Sequence, residues 1–304
     1  MKKADILRDA AVKLESIDIN LSLQLMEMAL SERPTGKVIK AKLLKYYEIV
    51  KDRNNKLEVI SKRVSNGELA IIPIGFRCYT KKILGKNSIL QASLPFDNGF
   101  FPSSSVASII INGEVDLVNC GVSSKHGHDV CIKKENLIDG FSKKYIHFRR
   151  SDYHDIDEFV SSSKKNDLNN FLDSTRGYYT LDRFHNYVLA HYNWHKSADS
   201  KLSKGISDPV ENIKAINDIM NKRIARMNRM CESASDVFFI YYNHQGYDYM
   251  KIDDCVYEAR NLGVIRDAVV SKYGYKCQVK EVSSDCDLLS VFEEYLRETN
   301  APKK

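Results

Sequence analysis

In Ile74-Gly75-Phe76-Arg77-Cys78 a cysteine follows an apolar run and a glycine, at the point where a strand would give way to a helix. The start of a helix favours an anion, and its free amides can also hold an oxyanion, so a thiol there is placed for nucleophilic chemistry. Arg77 adds positive charge beside it. The plainer reading of Cys78 is a buried cysteine acting as a small hydrophobe. A thiolate nucleophile needs a base that takes its proton and returns it to the leaving group, and histidine is the first residue to seek. His185, His191 and His195 fall close together beside the only tryptophan, Trp194. If residues 187–192 form a strand, alternation puts His185, His191 and Asn193 on one face, a plausible wall for a site. Each of these histidines has a structural alternative, a hydrogen-bonded residue with no part in chemistry. A base is usually oriented by a carboxylate or amide. Asp97, in Leu94-Pro95-Phe96-Asp97-Asn98, is the candidate, the alternative being that it stabilises its own turn.

Residues 211–232 supply a second kind of chemistry. Ile213, Ile216, Met220, Ile224, Met227 and Cys231 form an apolar stripe at helical spacing, while Lys222, Arg223, Arg226 and Arg229 concentrate positive charge in the second half. Such charges usually solvate a helix; the sharper reading gives Arg223 and Arg226 a phosphate to bind through the forked donors of guanidinium. His126-Gly127-His128-Asp129 is a weak metal signal without further ligands, and His147 and His154 read as surface residues. Neither a metal site nor a tightly bound cofactor is expected.

Positioning these groups falls to two kinds of element. Residues 4–53 read as short paired helices in the manner of one tetratricopeptide unit, with a further helix over 38–50. Such a unit normally needs neighbours to bury its face, so residues 1–53 are expected to dock on the main domain or on a protein partner. The charged stretch 51–67 is the expected boundary, giving a helical appendage over 1–66 and a catalytic domain over 67–304. Beyond it, the apolar runs 69–74 and 237–242 and the half-buried run 278–282 read as strands, with a helix expected over 254–271. Strand–helix–strand order predicts an α/β fold carrying a small all-α module. Residues 105–185 hold no persistent period and are expected to be surface insertions.

With 304 residues the chain can bury a large core without disulfides, and its seven cysteines are scattered, without a CxxC pair. That usage fits a reducing cytoplasm. The first residues interleave charge with apolar side chains, unlike a signal peptide, and no stretch has the length and apolarity of a transmembrane segment. A net charge of +6 is mild for this length and reads as a mixed solvated surface rather than a nucleic-acid footprint.

The run Ile74-Gly75-Phe76-Arg77-Cys78, followed by Ser93-Leu94-Pro95-Phe96-Asp97, resembles the bacterial family described as papain-like cysteine peptidases, with its G-x-x-C and S-x-P-F-D elements. Looser likeness extends over 69–282, through the histidine-bearing segment 185–195, the arginine-rich helix and the apolar strand 237–242. The resemblance implies a papain-like or related α/β core with Cys78 as nucleophile, His191 as the base and Asp97 as its orienting residue. Residues 21–47 are similar to helical appendages of bacterial capsule polysaccharide biosynthesis enzymes. Together these resemblances imply an acyltransferase acting on a surface glycan or its precursor, with acyl-coenzyme A as donor. A cysteine peptidase or other hydrolase, and a non-catalytic glycan-binding module, remain the alternatives.

Overall fold

The computed structural model describes residues 3–76, 78–90, 92–118, 131–135, 145–150, 178–190, 192, 209–243 and 247–300. They fall into two units: Met1–Asn66 with Gly85–Leu90 and Val282–Lys304, and Gly67–Leu84 with Gln91–Glu281.

The first unit is helical. It holds α1 (Lys3–Leu14), α2 (Ile19–Glu32), α3 (Lys37–Ser65) and the last helix, α8 (Asp285–Asn300). Asp18 starts α2 by accepting from the amides of Asn20 and Leu21, both at 3.1 Å, which satisfies donors that a helix leaves free. Ala4, Ala11, Met26, Ala29, Ile39, Leu43 and Tyr46 form its core. The helix expected over 38–50 is longer than the sequence reading gave it: residues 51–65 are the second half of α3. Arg53, Ile60 and Val64 are its buried residues there, so the charged majority faces solvent around a narrow stripe. Residues 282–304, read from the sequence as part of the larger domain, also cluster with these helices. Lys56 of α3 reaches Glu293 of α8 at 2.7 Å, and the Arg63 guanidinium lies 5.2 Å from the centre of the Tyr295 ring.

The second unit is mixed α/β. β1 (Leu69–Ile74) runs parallel to β7 (Asp236–Tyr242), and β10 (Cys277–Val282) lies on the far side of β7. The second sheet has the order β2 (Gly99–Phe100), β6 (Tyr187–Leu189), β5 (Tyr178–Asp182), β3 (Cys131–Glu135), β4 (Tyr145–Arg150), β8 (Tyr249–Ile252), β9 (Cys255–Glu258). Its pairs are antiparallel except β4 with β8. Among the described residues the further helices are α4 (Tyr79–Lys86), α5 (Ser103–Asn112), α6 (Pro209–Ser233) and α7 (Leu262–Tyr273).

One core joins β1 and β7 to α5, α6 and α7 and contains the whole predicted stripe of α6, from Ile213 to Cys231. Each of these aliphatic side chains contributes about 1.5–3 kcal/mol by leaving water. A smaller core, with Phe76, Phe100, Phe148, Tyr179, Leu181 and Val188, lies against the second sheet. Two expectations fail here. Residues 105–185 are not wholly surface insertions, since α5 and strands β4 and β5 lie among them and carry core residues. The helix expected over 254–271 starts only at Leu262, where the Asn261 side chain accepts from the Val264 amide; residues 255–258 form β9 instead. Among the described residues no helix is long and apolar enough to cross a membrane.

Candidate active site around Cys78

Strand β1 is buried at every position and ends at Gly75, whose φ of 148° is one that a side chain would resist. The Cys78 carbonyl then accepts from the Lys82 amide at 3.3 Å, so Cys78 is the residue from which α4 starts. Thr80 fixes that start. Its hydroxyl donates to the Ile74 carbonyl at 2.6 Å and accepts from the Tyr242 amide at 3.0 Å, tying the first turn of α4 to the ends of β1 and β7. The cysteine is therefore carried by a helix start clamped to two adjacent parallel strands. Its thiol is free and half-buried, whereas Cys231 and Cys277 are buried and Cys255 and Cys286 exposed.

Lys81 stands one turn from Cys78 and forms an ion pair with Asp97 at 3.0 Å. Asp97 is fully buried, in the 3-10 turn Pro95–Asp97. The Asp97 oxygen that meets Lys81 also accepts from the Leu94 amide at 2.9 Å, and the other, Oδ1, has no hydrogen-bond partner among the described residues. Asp97 thus closes its own turn, as the plainer reading has it, and the side chain it pairs with is Lys81; His191, which it was expected to orient, lies outside the described residues. Arg226 braces the same motif by donating to the Ser93 carbonyl at 2.8 Å. Arg223 stacks on Tyr192, with its guanidinium 5.2 Å from the ring centre, and donates to the Tyr192 hydroxyl. The two arginines read as phosphate ligands thus face protein partners.

The backbone brings the flanks of the sequence motifs together. Phe76 accepts from the Phe101 amide at 3.2 Å, and Asn98, next to Asp97, accepts at 3.3 Å from the amide of Ala190, which precedes His191. Gly99 permits the pairing of β2 with β6, because a Cβ there would lie 2.7 Å from the Val188 carbonyl oxygen and 2.6 Å from the Phe101 ring. His191 itself lies outside the described residues, as do Arg77, Asn193, Trp194 and His195.

His185 departs from the expected arrangement. Strand β6 covers only Tyr187–Leu189, and His185 sits before it in a turn that passes through Asn186 with φ 56°, so alternation along a strand does not apply to it. It is buried, with Nδ1 2.8 Å from the Ser108 hydroxyl on α5. Asp182 shapes the turn by accepting from the amides of Phe184 and His185, both at 2.8 Å. Burial pushes the Asp182 carboxyl above its ordinary range and the His185 imidazole below its own. His147, read from the sequence as a surface residue, is buried on β4 with Nε2 3.1 Å from the Asp253 carbonyl. Its charged neighbours in sequence hide that role, which depends on the distant β8–β9 turn.

Sequence reasoning missed Thr80 and Lys81. Thr80 lies inside the first turn and bonds the ends of two strands rather than capping the helix, and the Lys81–Asp97 pair spans two motifs, so neither leaves a local trace. Among the described residues no three His, Cys, Asp or Glu side chains gather as metal ligands. No protein-family profile, curated protein or solved structure matches the chain.

Proposed function

We propose that this chain is a cysteine-dependent acyl-transfer enzyme with papain-like Cys-His chemistry, using Cys78 as nucleophile, acyl-coenzyme A as donor and a glycan hydroxyl as acceptor. The observation that carries the reading is the half-buried Cys78 at the strand-clamped start of α4, one turn from the Lys81–Asp97 pair. In the first step the Cys78 sulfur bonds to the acyl carbon, the carbonyl electrons move to oxygen, and amides at the start of α4 hold that oxyanion. The oxyanion then collapses, the coenzyme A sulfur leaves with the proton that His191 took from Cys78, and a thioester remains. In the second step the acceptor hydroxyl gives its proton to His191 and attacks the thioester, releasing the ester and the Cys78 thiol. Asp97 holds Lys81 in place one turn from Cys78. Water in place of the hydroxyl makes the same machinery a hydrolase.

The test incubates the protein with acetyl-coenzyme A and, separately, p-nitrophenyl acetate, and maps acylated peptides by mass spectrometry. The expected result is acetyl on Cys78, discharged faster by a glycan hydroxyl than by water, and absent in Cys78→Ala. Acylation of the exposed Cys255 and Cys286 with none on Cys78 would sink the mechanism. Discharge to water alone would replace transfer by hydrolysis.

A further inference from the structure

The helical unit contains a cleft of about 370 Å³ that the acyl-transfer reading leaves unused. Asn54, Leu57, Glu58 and Ser61 line it from one face of α3, at the i, i+3, i+4, i+7 spacing of neighbours along a helix. Asn20 of α2 and the segment Lys86-Asn87-Ser88 complete the wall, with Arg53 beneath. Ser88 holds a left-handed backbone, φ 57°, which is costly for a serine.

The charges around the cleft are already matched. Arg53 lies 3.5 Å from Asp285, Lys86 lies 3.6 Å from Asp18 and 3.2 Å from Asp285, and Glu58 lies 3.0 Å from Lys62. The cleft therefore presents no excess cation to draw in a phosphate. Its only apolar lining side chain is Leu57, so an apolar ligand gains little by entering. What remains open is bifunctional: the amides of Asn20 and Asn54 and the hydroxyls of Ser61 and Ser88, none of which has a side-chain hydrogen bond among the described residues. Each can donate and accept at once. Arg53 is buried beneath them and donates through Nη2 to the Asn87 side chain at 2.7 Å.

Groups that donate and accept, gathered without net charge around a small polar cleft, match a ligand that is itself mostly hydroxyl. We propose that this cleft binds an uncharged polyhydroxylated small molecule, a neutral monosaccharide. The volume accepts one sugar ring. With no aromatic side chain in the lining to stack on it, the affinity is roughly millimolar. The site is independent of Cys78.

The experiment uses the full chain and ligand-observed saturation-transfer NMR. Neutral probes are glucose, galactose and N-acetylglucosamine; charged probes are glucuronate and inorganic phosphate. At least one neutral sugar binds with a Kd of roughly 1–5 mM, and the double variant Asn54→Ala/Ser61→Ala weakens it at least about fivefold. Both positions lie off the buried stripe of α3, so the variant keeps its circular dichroism and melting midpoint. Cys78→Ala binds the sugar as the parent does, which separates this site from the acyl-transfer reading. The proposal is overturned if no neutral sugar binds up to about 50 mM, if binding survives the double variant, or if the charged probes bind tighter than the neutral ones.

Discussion

Asp97 offers the sharpest test of the architecture around Cys78, through a double-mutant cycle with Lys81. Asp97→Asn preserves the shape and leaves an oxygen to accept from the Leu94 amide, so it isolates the charge facing Lys81. At 3.0 Å the gross attraction is about 5–6 kcal/mol for an effective dielectric constant of ~20. Desolvation of the fully buried carboxylate takes back several kcal/mol, and the Lys81 side chain, 28% exposed, recovers part of its hydration once the partner is gone. The coupling energy between Asp97→Asn and Lys81→Met is therefore about 1–3 kcal/mol. Asp97→Ala adds a further ~1–3 kcal/mol by leaving the buried Leu94 amide without its acceptor. Urea unfolding at pH 7 measures each energy, and hydrogen exchange of the peptide containing Leu94 measures the local part. A coupling below about 0.5 kcal/mol, or an Asp97→Asn variant more stable than the parent, means that desolvation outweighs the ion pair and that Lys81 is not held by Asp97. The same variants carry a second readout: if Lys81 takes part in the chemistry at Cys78, Lys81→Met slows alkylation of Cys78 and leaves Cys255 and Cys286 unchanged.

Burial pushes the Cys277 thiol up to about 11, the Tyr241 phenol up to about 12, and the Cys231 thiol higher still. Folded values above the unfolded ones, 9.0 for a thiol and 10.0 for a phenol, mean that this stability is complete below pH 9 and drains away as the pH rises through 9 to 12. The urea midpoint should therefore fall most steeply above pH 9, and Cys277→Ala should soften that fall; an equal slope in the variant would exclude Cys277 as a contributor. Gly99→Ala should destabilise the protein by about 1–3 kcal/mol and speed exchange of the Ala190 amide, because its Cβ meets backbone at Val188 as well as a side chain. Unchanged exchange at Ala190 would show that β2 does not hold that end of β6.

The apolar runs at 69–74 and 237–242 and the stripe from Ile213 to Cys231 were legible because burial on all sides, or on one helix face, writes itself into consecutive or periodic residues. Residues 51–65 were illegible as helix for the opposite reason, since a stretch that buries little besides Arg53, Ile60 and Val64 reads as a charged boundary. At the site, the placement of Cys78 at the start of a helix followed from glycine and strand signals alone. The pairing of Asp97 with Lys81, the anchoring of Arg226 on Ser93 and the capture of His185 by Ser108 are all long-range, and no window of sequence contains them.

Among the described residues strand β1 pairs with β7 alone, and Leu69 finds its partner at Asp236. On a ribosome, at about 5–20 residues per second, the wholly apolar segment Leu69–Ile74 emerges roughly 10–30 seconds before the strand that will shelter it. During that interval it is the kind of segment on which chains stick to one another. Pro73 lies within it, and a residue with no amide hydrogen breaks the ladder that a neighbouring chain would need to extend. In the finished sheet β1 stays at the edge, where a proline is tolerated. Pro73→Val is thus a substitution that suits the folded strand and endangers the growing chain, with its effect falling on yield rather than on the melting temperature.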